Sequence, residues 1–194
     1  MNSDIMIRMA TEKDAPEILE IYRGYVQNTF ISFEYDVPSL KEFTERITNT
    51  LKKYPYLVAV DNDRIVGYAY VGRFKERSAY DLDVETSIYI KFDQKQNGIG
   101  KALYNSLEEI LQKQNIVNLY ACISCDSENN TIIINDSINF HDAMGYKLVG
   151  HFINCGYKFL KWHDVVYMVK TINKPTKLPK TFIPIAKIKT SYRK

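Results

Sequence analysis

The chain is poor in cysteine. Only Cys122, Cys125 and Cys155 occur in 194 residues. An odd, sparse set excludes a disulfide scaffold and points to a reducing compartment. Cys122 and Cys125 are spaced as C-x-x-C. No second pair accompanies them, and they lie in a strand-like run, "NLYACISC", not at a helix start. They read as two small strand residues, not as a redox or zinc site, and no metal is expected. No run of eighteen apolar residues exists, so no membrane-spanning helix is expected. The first residues, "MNSDIMIRMATEKD", lack an apolar stretch and carry acids early, unlike a signal peptide. These absences describe a cytoplasmic protein.

Acidic residues are missing from the end of the chain. Lys170 to Lys194 holds eight of the 26 basic side chains and none of the 23 acidic ones. The other 18 basic residues therefore share residues 1–169 with all 23 acids, a net of −5 beneath an overall +3. A basic tail suits nucleic acid or an acidic surface. Pro175, Pro179 and Pro184 equally suit a solvated extension, and the acidic body argues against a nucleic-acid protein.

What is present is one domain's worth of alternating patterns, without a repeat. With 45% apolar residues the chain can bury a proper core. "IMIRMA" reads as a strand. Thr11 and Asp14 form a capping-box pattern before a helical face of Ile18, Ile21, Tyr22, Tyr25 and Val26. Ser39 and Glu42 repeat the signal before Leu40, Phe43, Ile47 and Leu51. "YLVAV-DND-RIVGYAYVGRF" reads as a hairpin with a three-residue turn. In "DVETSIYIKF", Val84, Thr86, Ile88, Ile90 and Phe92 share one strand face, and Glu85, Ser87, Tyr89 and Lys91 the other. A helix follows from about Gly98 to Gln114, then a strand over "IVNLYACISC". "NDSINFHDAMG" is a short helix, capped near Asn135 or Asp136 and stopped at Gly145. Two strands, "YKLVGHFIN" and "WHDVVYMVKTI", complete the order β-α-α-β-β-β-α-β-α-β-β.

The chemistry concentrates in "IYIKFDQKQNGIGKALYNSLEEIL", a strand, a glycine loop and a helix. The loop is not G-x-x-x-x-G-K-[ST], because Ala102 follows Lys101 and Gly98 lies only two residues before Gly100. Nor is it G-x-G-x-x-G, because Leu103 takes the third place. A glycine pair opening a helix still favours an anion. The first turn offers unpaired N–H groups and the positive dipole end, and glycine permits close approach. A plain tight turn is the alternative. Glu85, on the preceding strand's polar face, is placed as a base near such a site.

This pattern resembles the GCN5-related N-acetyltransferase (GNAT) superfamily, whose signature is [QR]-x-x-G-x-[GA]. "KQNGIG" departs at Lys95. The match is closer to one branch, the phosphinothricin and methionine-sulfoximine N-acetyltransferases. "IRMATEKDAPEILEIY", "KYPYLVAVDNDRIVGYAYVGRFKERSAYDLDVETSIYI", "NGIGKALYNSLEE" and "SINFHDAMGYKLVGHFINCGYKFLKWHDVVYM" carry the resemblance over roughly residues 7–169, with the "GRFKERSAYD" run specific to the branch. It implies an α/β (α+β) GNAT fold, a single mixed central sheet with helices on both faces. Residues 1–169 would form the acetyltransferase domain and 170–194 a basic extension.

The resemblance further implies acetyl-CoA as co-substrate. Ile88, Tyr89 and Ile90 would line its pantetheine arm. Gln96, Asn97, Gly98, Ile99, Gly100 and Lys101 would cradle its pyrophosphate. Asn135 would stand in for an asparagine that contacts the cofactor. Glu85 falls on the family's base, and His141 on a position able to protonate the departing thiolate or assist as a base. Lys75, Glu76 and Arg77 fall on the substrate loop, where Arg77 suits an anionic acceptor group. A homodimer is implied as well. The alternatives to this branch's acceptor are another small amine, such as an antibiotic or a polyamine, or a non-catalytic acetyl-CoA-binding module.

Overall fold

A computed structural model describes residues 5–129 and 131–192. Residues 1–4 of the amino-terminal stretch, Asn130, and Arg193 and Lys194 of the basic tail lie outside the described residues.

The elements run β1 (Met6–Met9), α1 (Ala15–Asn28), α2 (Leu40–Leu51), β2 (Tyr56–Asp61), β3 (Arg64–Arg73), β4 (Asp83–Ile90), α3 (Ile99–Lys113), β5 (Asn118–Glu128), β6 (Thr131–Ile133), α4 (Asp136–Ala143), β7 (Lys147–Lys158) and β8 (Lys161–Thr171). They build one mixed sheet in the order β1-β2-β3-β4-β5-β8-β7, with β6 pairing back on β5. Among the described residues only the β4–β5 pairing is parallel.

The caps form as the sequence suggests, with one change of role. Ser39 Oγ accepts the N–H of Glu42 and starts α2. At Thr11 the Asp14 carboxylate accepts both the Thr11 backbone N–H (2.7 Å) and its hydroxyl (3.1 Å). A 3₁₀ turn over Glu12–Asp14 then leads into α1. The β2–β3 turn is tighter than the three residues expected. Asp61 pairs with Arg64, leaving only Asn62 and Asp63, both at positive φ (46° and 60°). That is the two-residue turn whose twist matches the flanking strands. Phe92 leaves the strand face assigned to it and enters a 3₁₀ turn over Phe92–Gln94.

Each sheet face carries its own core. On one, α3 packs Leu103, Leu107, Ile110 and Leu111 against Leu57, Ala69, Val84 and Leu119. On the other, α1 and α2 cover a layer of tyrosines that includes Tyr22, Tyr56, Tyr68 and Tyr89. Tyr56 and Tyr70 stack at 4.8 Å, and Tyr68 and Tyr89 at 5.2 Å. Much of the chain's tyrosine content is therefore packing. A second aromatic population is exposed on β7, β8 and their turn, at Phe152, Tyr157, Phe159 and Trp162.

The basic segment, expected as a solvated extension, is not one over its described length. The 169/170 boundary falls inside β8. Ile185 (2% exposed) and Ile188 (7%) are buried in the α3-side core. The backbone N–H groups of Ile183 and Ile185 donate to Gln114 O and Lys53 O, and Met9 N–H donates to Tyr192 O. Isoleucines spaced among the lysines supply apolar anchors, and burial of those anchors outweighs the tail's charge.

Candidate active site

The parallel β4–β5 pairing is short. It runs from Asp83↔Asn118 to Thr86↔Ala121 and stops, although β4 continues to Ile90 and β5 to Glu128. Beyond Thr86 the strands part, and a cleft opens between them. Two cavities occupy it. The larger, about 480 Å³, is floored by Ile88, Ile90 and Phe140 and rimmed by Lys95, Gln96, Gly98, Gly100 and Lys101. The smaller, about 60 Å³, lies deeper, among Thr86, Tyr89, Tyr104, Cys122, Ser124, Ser137 and His141. Ile31, from the loop after α1, lines both.

The two loop glycines serve different ends. Gly98 caps α3 at φ +78°, a conformation that costs other residues about 1 kcal/mol or more. A Cβ there would meet nothing. Gly100 is constrained by space, since a Cβ would come within 3.1 Å of the Phe140 ring. Glycine lets α4 press its phenylalanine onto the start of α3. The first N–H groups of α3 lack helical acceptors and border the large cavity, with Lys95 and Lys101 on the same rim and Asp136 as one opposing charge. An apolar floor beneath a helix start and two lysines fits the pantetheine and phosphates of acetyl-CoA. The Lys95 ammonium stands over the rings of Phe92 (4.8 Å) and Tyr25 (5.4 Å).

Of the expected cofactor residues, Ile88, Ile90, Gln96, Gly98, Ile99, Gly100 and Lys101 line the larger cavity. Tyr89 reaches only the smaller one, its ring packed on Tyr22, Tyr25 and Tyr68. Asn97 is exposed and lines neither. Asn135 lines neither cavity. Its Oδ1 accepts the N–H of Ile138 and its Nδ2 donates to Ser124 O, so its amide caps α4 and ties it to β5. The N-cap position commits one donor and one acceptor of the amide to these bonds. Asn139, one turn on, lines the cleft instead.

His141 is 3% exposed. Its Nδ1–H donates to Ser137 O at 2.7 Å, which leaves Nε2 to face the Tyr104 hydroxyl at 2.9 Å. Burial pulls its pKa down to about 4, so the ring is neutral at neutral pH. Tyr104 also sits 3.2 Å from Thr86 Oγ1, which extends the polar chain to β4.

Glu85 lies one residue before the last position at which β4 pairs with β5, on the sheet face opposite α3. Tyr167 donates its phenol O–H to Glu85 Oε2 at 3.2 Å. Burial raises the carboxyl's pKa, and the bond from Tyr167 and the charge of Lys75 oppose that rise. Lys75, Glu76 and Arg77 are exposed on the β3–β4 connection. Phe74 anchors that connection by stacking on Tyr120 at 4.0 Å, and the Lys75 ammonium stands 4.9 Å over the Phe74 ring. Glu76 turns towards Arg73 (3.9 Å).

The far wall is the loop after α1, and a buried lysine holds it. Lys158 (3% exposed) donates to the carbonyls of Val26, Thr29 and Ser32 at 2.6–2.9 Å. Phe30 stacks on His163 at 4.1 Å, and His163 bonds Asp126 at 2.7 Å. Cys122 and Cys125 point to opposite sides of β5, one exposed and one buried, as an odd offset requires. Sequence reasoning missed Ile31, Asn139, Tyr104, Lys158 and Tyr167. For Tyr167 the alternation of "WHDVVYMVK" could have supplied its face, but not its partner.

The family model for the acetyltransferase (GNAT) domain matches residues 7–167. Phosphinothricin N-acetyltransferase of Alcaligenes faecalis is 32% identical over 168 residues, covering 86% of this chain and 82% of that one. The L-methionine sulfoximine/L-methionine sulfone acetyltransferase of Pseudomonas aeruginosa is 28% identical, covering 84% and 91%. The crystal structure of a GNAT superfamily phosphinothricin acetyltransferase from Sinorhizobium meliloti, in complex with acetyl-CoA, superposes with a TM-score of 0.80. It is 31% identical and covers 93% of this chain and 98% of that one.

Proposed function

The chain belongs to the GNAT acetyltransferase family, and on that premise we propose that it acetylates the primary amine of a small amino-acid-like acceptor. The acceptor would be of the phosphinothricin, methionine sulfoximine or methionine sulfone type. The relatives' printed activities support this choice. So does an exposed loop bearing Lys75 and Arg77, which suits an acceptor with an anionic or sulfone-like group.

The observation that carries the reading is the place of Glu85. It is a partly buried carboxylate beside the point where β4 and β5 part, with the large cavity beyond and the Lys75 loop above. Acetyl-CoA supplies an activated acetyl thioester. Ile88 and Ile90 hold its pantetheine arm and the start of α3 its phosphates. An ammonium is not a nucleophile, so a proton must leave the acceptor first; Glu85 takes it, directly or through one water. Tyr104, His141 and Ser137 form the polar wall of the inner cavity. His141 works there as a neutral ring, and the hydroxyl chain it organises relays to the departing thiolate the proton that the attacking nitrogen loses on becoming an amide.

The same reading includes a homodimer and a cytoplasmic location. The exposed apolar row Leu148, Val149, Phe152 and Ile153 on the edge strand β7 supports the first. Three free thiols and the need for acetyl-CoA support the second. No described helix is long and apolar enough to cross a membrane.

A panel of acceptors assayed for acetyl-CoA-dependent CoA release tests the proposal. Turnover of phosphinothricin, methionine sulfoximine or methionine sulfone is expected. Turnover of a polyamine and of none of these three overturns it.

A further inference from the structure

We propose that Tyr167 is a positioning residue for the base, its phenol hydroxyl holding and orienting the Glu85 carboxylate. This rests on the reading of Glu85 as the base.

Three strands make the contact. Glu85 on β4 is the register partner of Tyr120 on β5, and Tyr167 on β8 is the partner of Cys122. Tyr120 and Cys122 lie two apart on β5, so all four side chains share one face. The phenol thereby reaches across β5 to Glu85 Oε2. Its ring is fixed from two sides by edge-on contacts with Phe74 (6.4 Å, 74°) and Phe152 (5.7 Å, 71°). Those contacts use the ring alone, and phenylalanine would preserve them. The hydroxyl has a separate use: it donates to Glu85 Oε2, while the Cys122 thiol bonds it from the β5 side.

The other groups that act on Glu85 do not duplicate it. Lys75, from the β3–β4 connection, adds a charge from an exposed loop. The Cys122 residue on β5 is exposed overall, but its thiol, crowded beside Tyr167 and Glu85, is desolvated enough to be pushed up to about 11 and stays neutral. The Tyr70 phenol on β3 is also raised by burial and stays neutral. Tyr167 is thus the one hydrogen-bond donor to the carboxylate among the described residues. A donor to an ionised oxygen favours the ionised form. Without it, burial acts on Glu85 less opposed, and the base forms at higher pH.

The test is the pH profile of kcat/KM for the acceptor at saturating acetyl-CoA, for the wild type, Tyr167→Phe and Glu85→Gln. The expected result is an acidic limb displaced to higher pH in Tyr167→Phe. An unmoved limb in that variant, beside a collapsed Glu85→Gln, overturns the inference and leaves the base reading standing. A Glu85→Gln enzyme with wild-type rate and limb overturns both. If Tyr167→Phe does not bind acetyl-CoA as the wild type does, 3-fluorotyrosine at position 167 replaces it. Its more acidic phenol is a stronger donor, so the limb should move to lower pH, and no movement there overturns the inference.

Discussion

The Tyr104 hydroxyl lies 2.9 Å from His141 Nε2, and the two residues are 1% and 3% exposed. A buried tyrosine–histidine pair of this kind is held neutral by its surroundings. Burial lowers His141 from 6.5 to about 4, while the unfolded chain titrates at the ordinary value. Between those pH values the unfolded state binds the extra proton, so stability falls as pH drops through the window. The full effect is about 3 kcal/mol. Urea unfolding across that range should show the loss in the wild type and not in His141→Asn. Parallel stability curves would contradict it.

Glu85→Gln should lower kcat by about 10²–10⁴, the usual contribution of a positioned base. Acetyl-CoA affinity should stay at the wild-type value, because Glu85 does not line the large cavity. Steady-state rates and a calorimetric titration check the two halves separately.

Gly98 and Gly100 should respond differently to substitution. Gly98→Ala meets only the strain of φ +78° and should cost about 1 kcal/mol of stability. Gly100→Val drives a side chain into Phe140 and should displace the floor of the cleft. Acetyl-CoA affinity should fall at least tenfold in the second variant and by much less in the first.

Lys158→Met removes three charged hydrogen bonds from the loop that carries Ile31. The orphaned carbonyls should cost about 2–4 kcal/mol. If the loop is the acceptor's wall, KM for the acceptor should rise more than KM for acetyl-CoA. Equal rises would reduce Lys158 to a purely structural role.

Ile185→Ala tests whether the carboxy-terminal segment belongs to the folded unit. The side chain is 2% exposed in the α3-side core, so a loss of about 2–5 kcal/mol is expected. A solvated tail would leave the melting temperature unchanged.

The sequence by itself determined every helix and all the strands except β6, because caps at Ser39 and Asn135 and the spacing of apolar residues are local signals. Through Gly98 and Gly100 it also located the glycine-opened start of α3 that borders the larger cavity. It could not show that Asn135 spends its amide on Ser124 and Ile138, because the second bond comes from another element. The tail was misread for a similar reason: lysine and proline dominate its composition, and only the packed core reveals where Ile185 and Ile188 go. Pairing across β5 is likewise invisible in one dimension. Glu85 and Tyr167 stand 82 residues apart in the chain and 3.2 Å apart in the fold. Local chemistry chose the elements, and long-range register decided which polar groups meet at the mouth of the cleft.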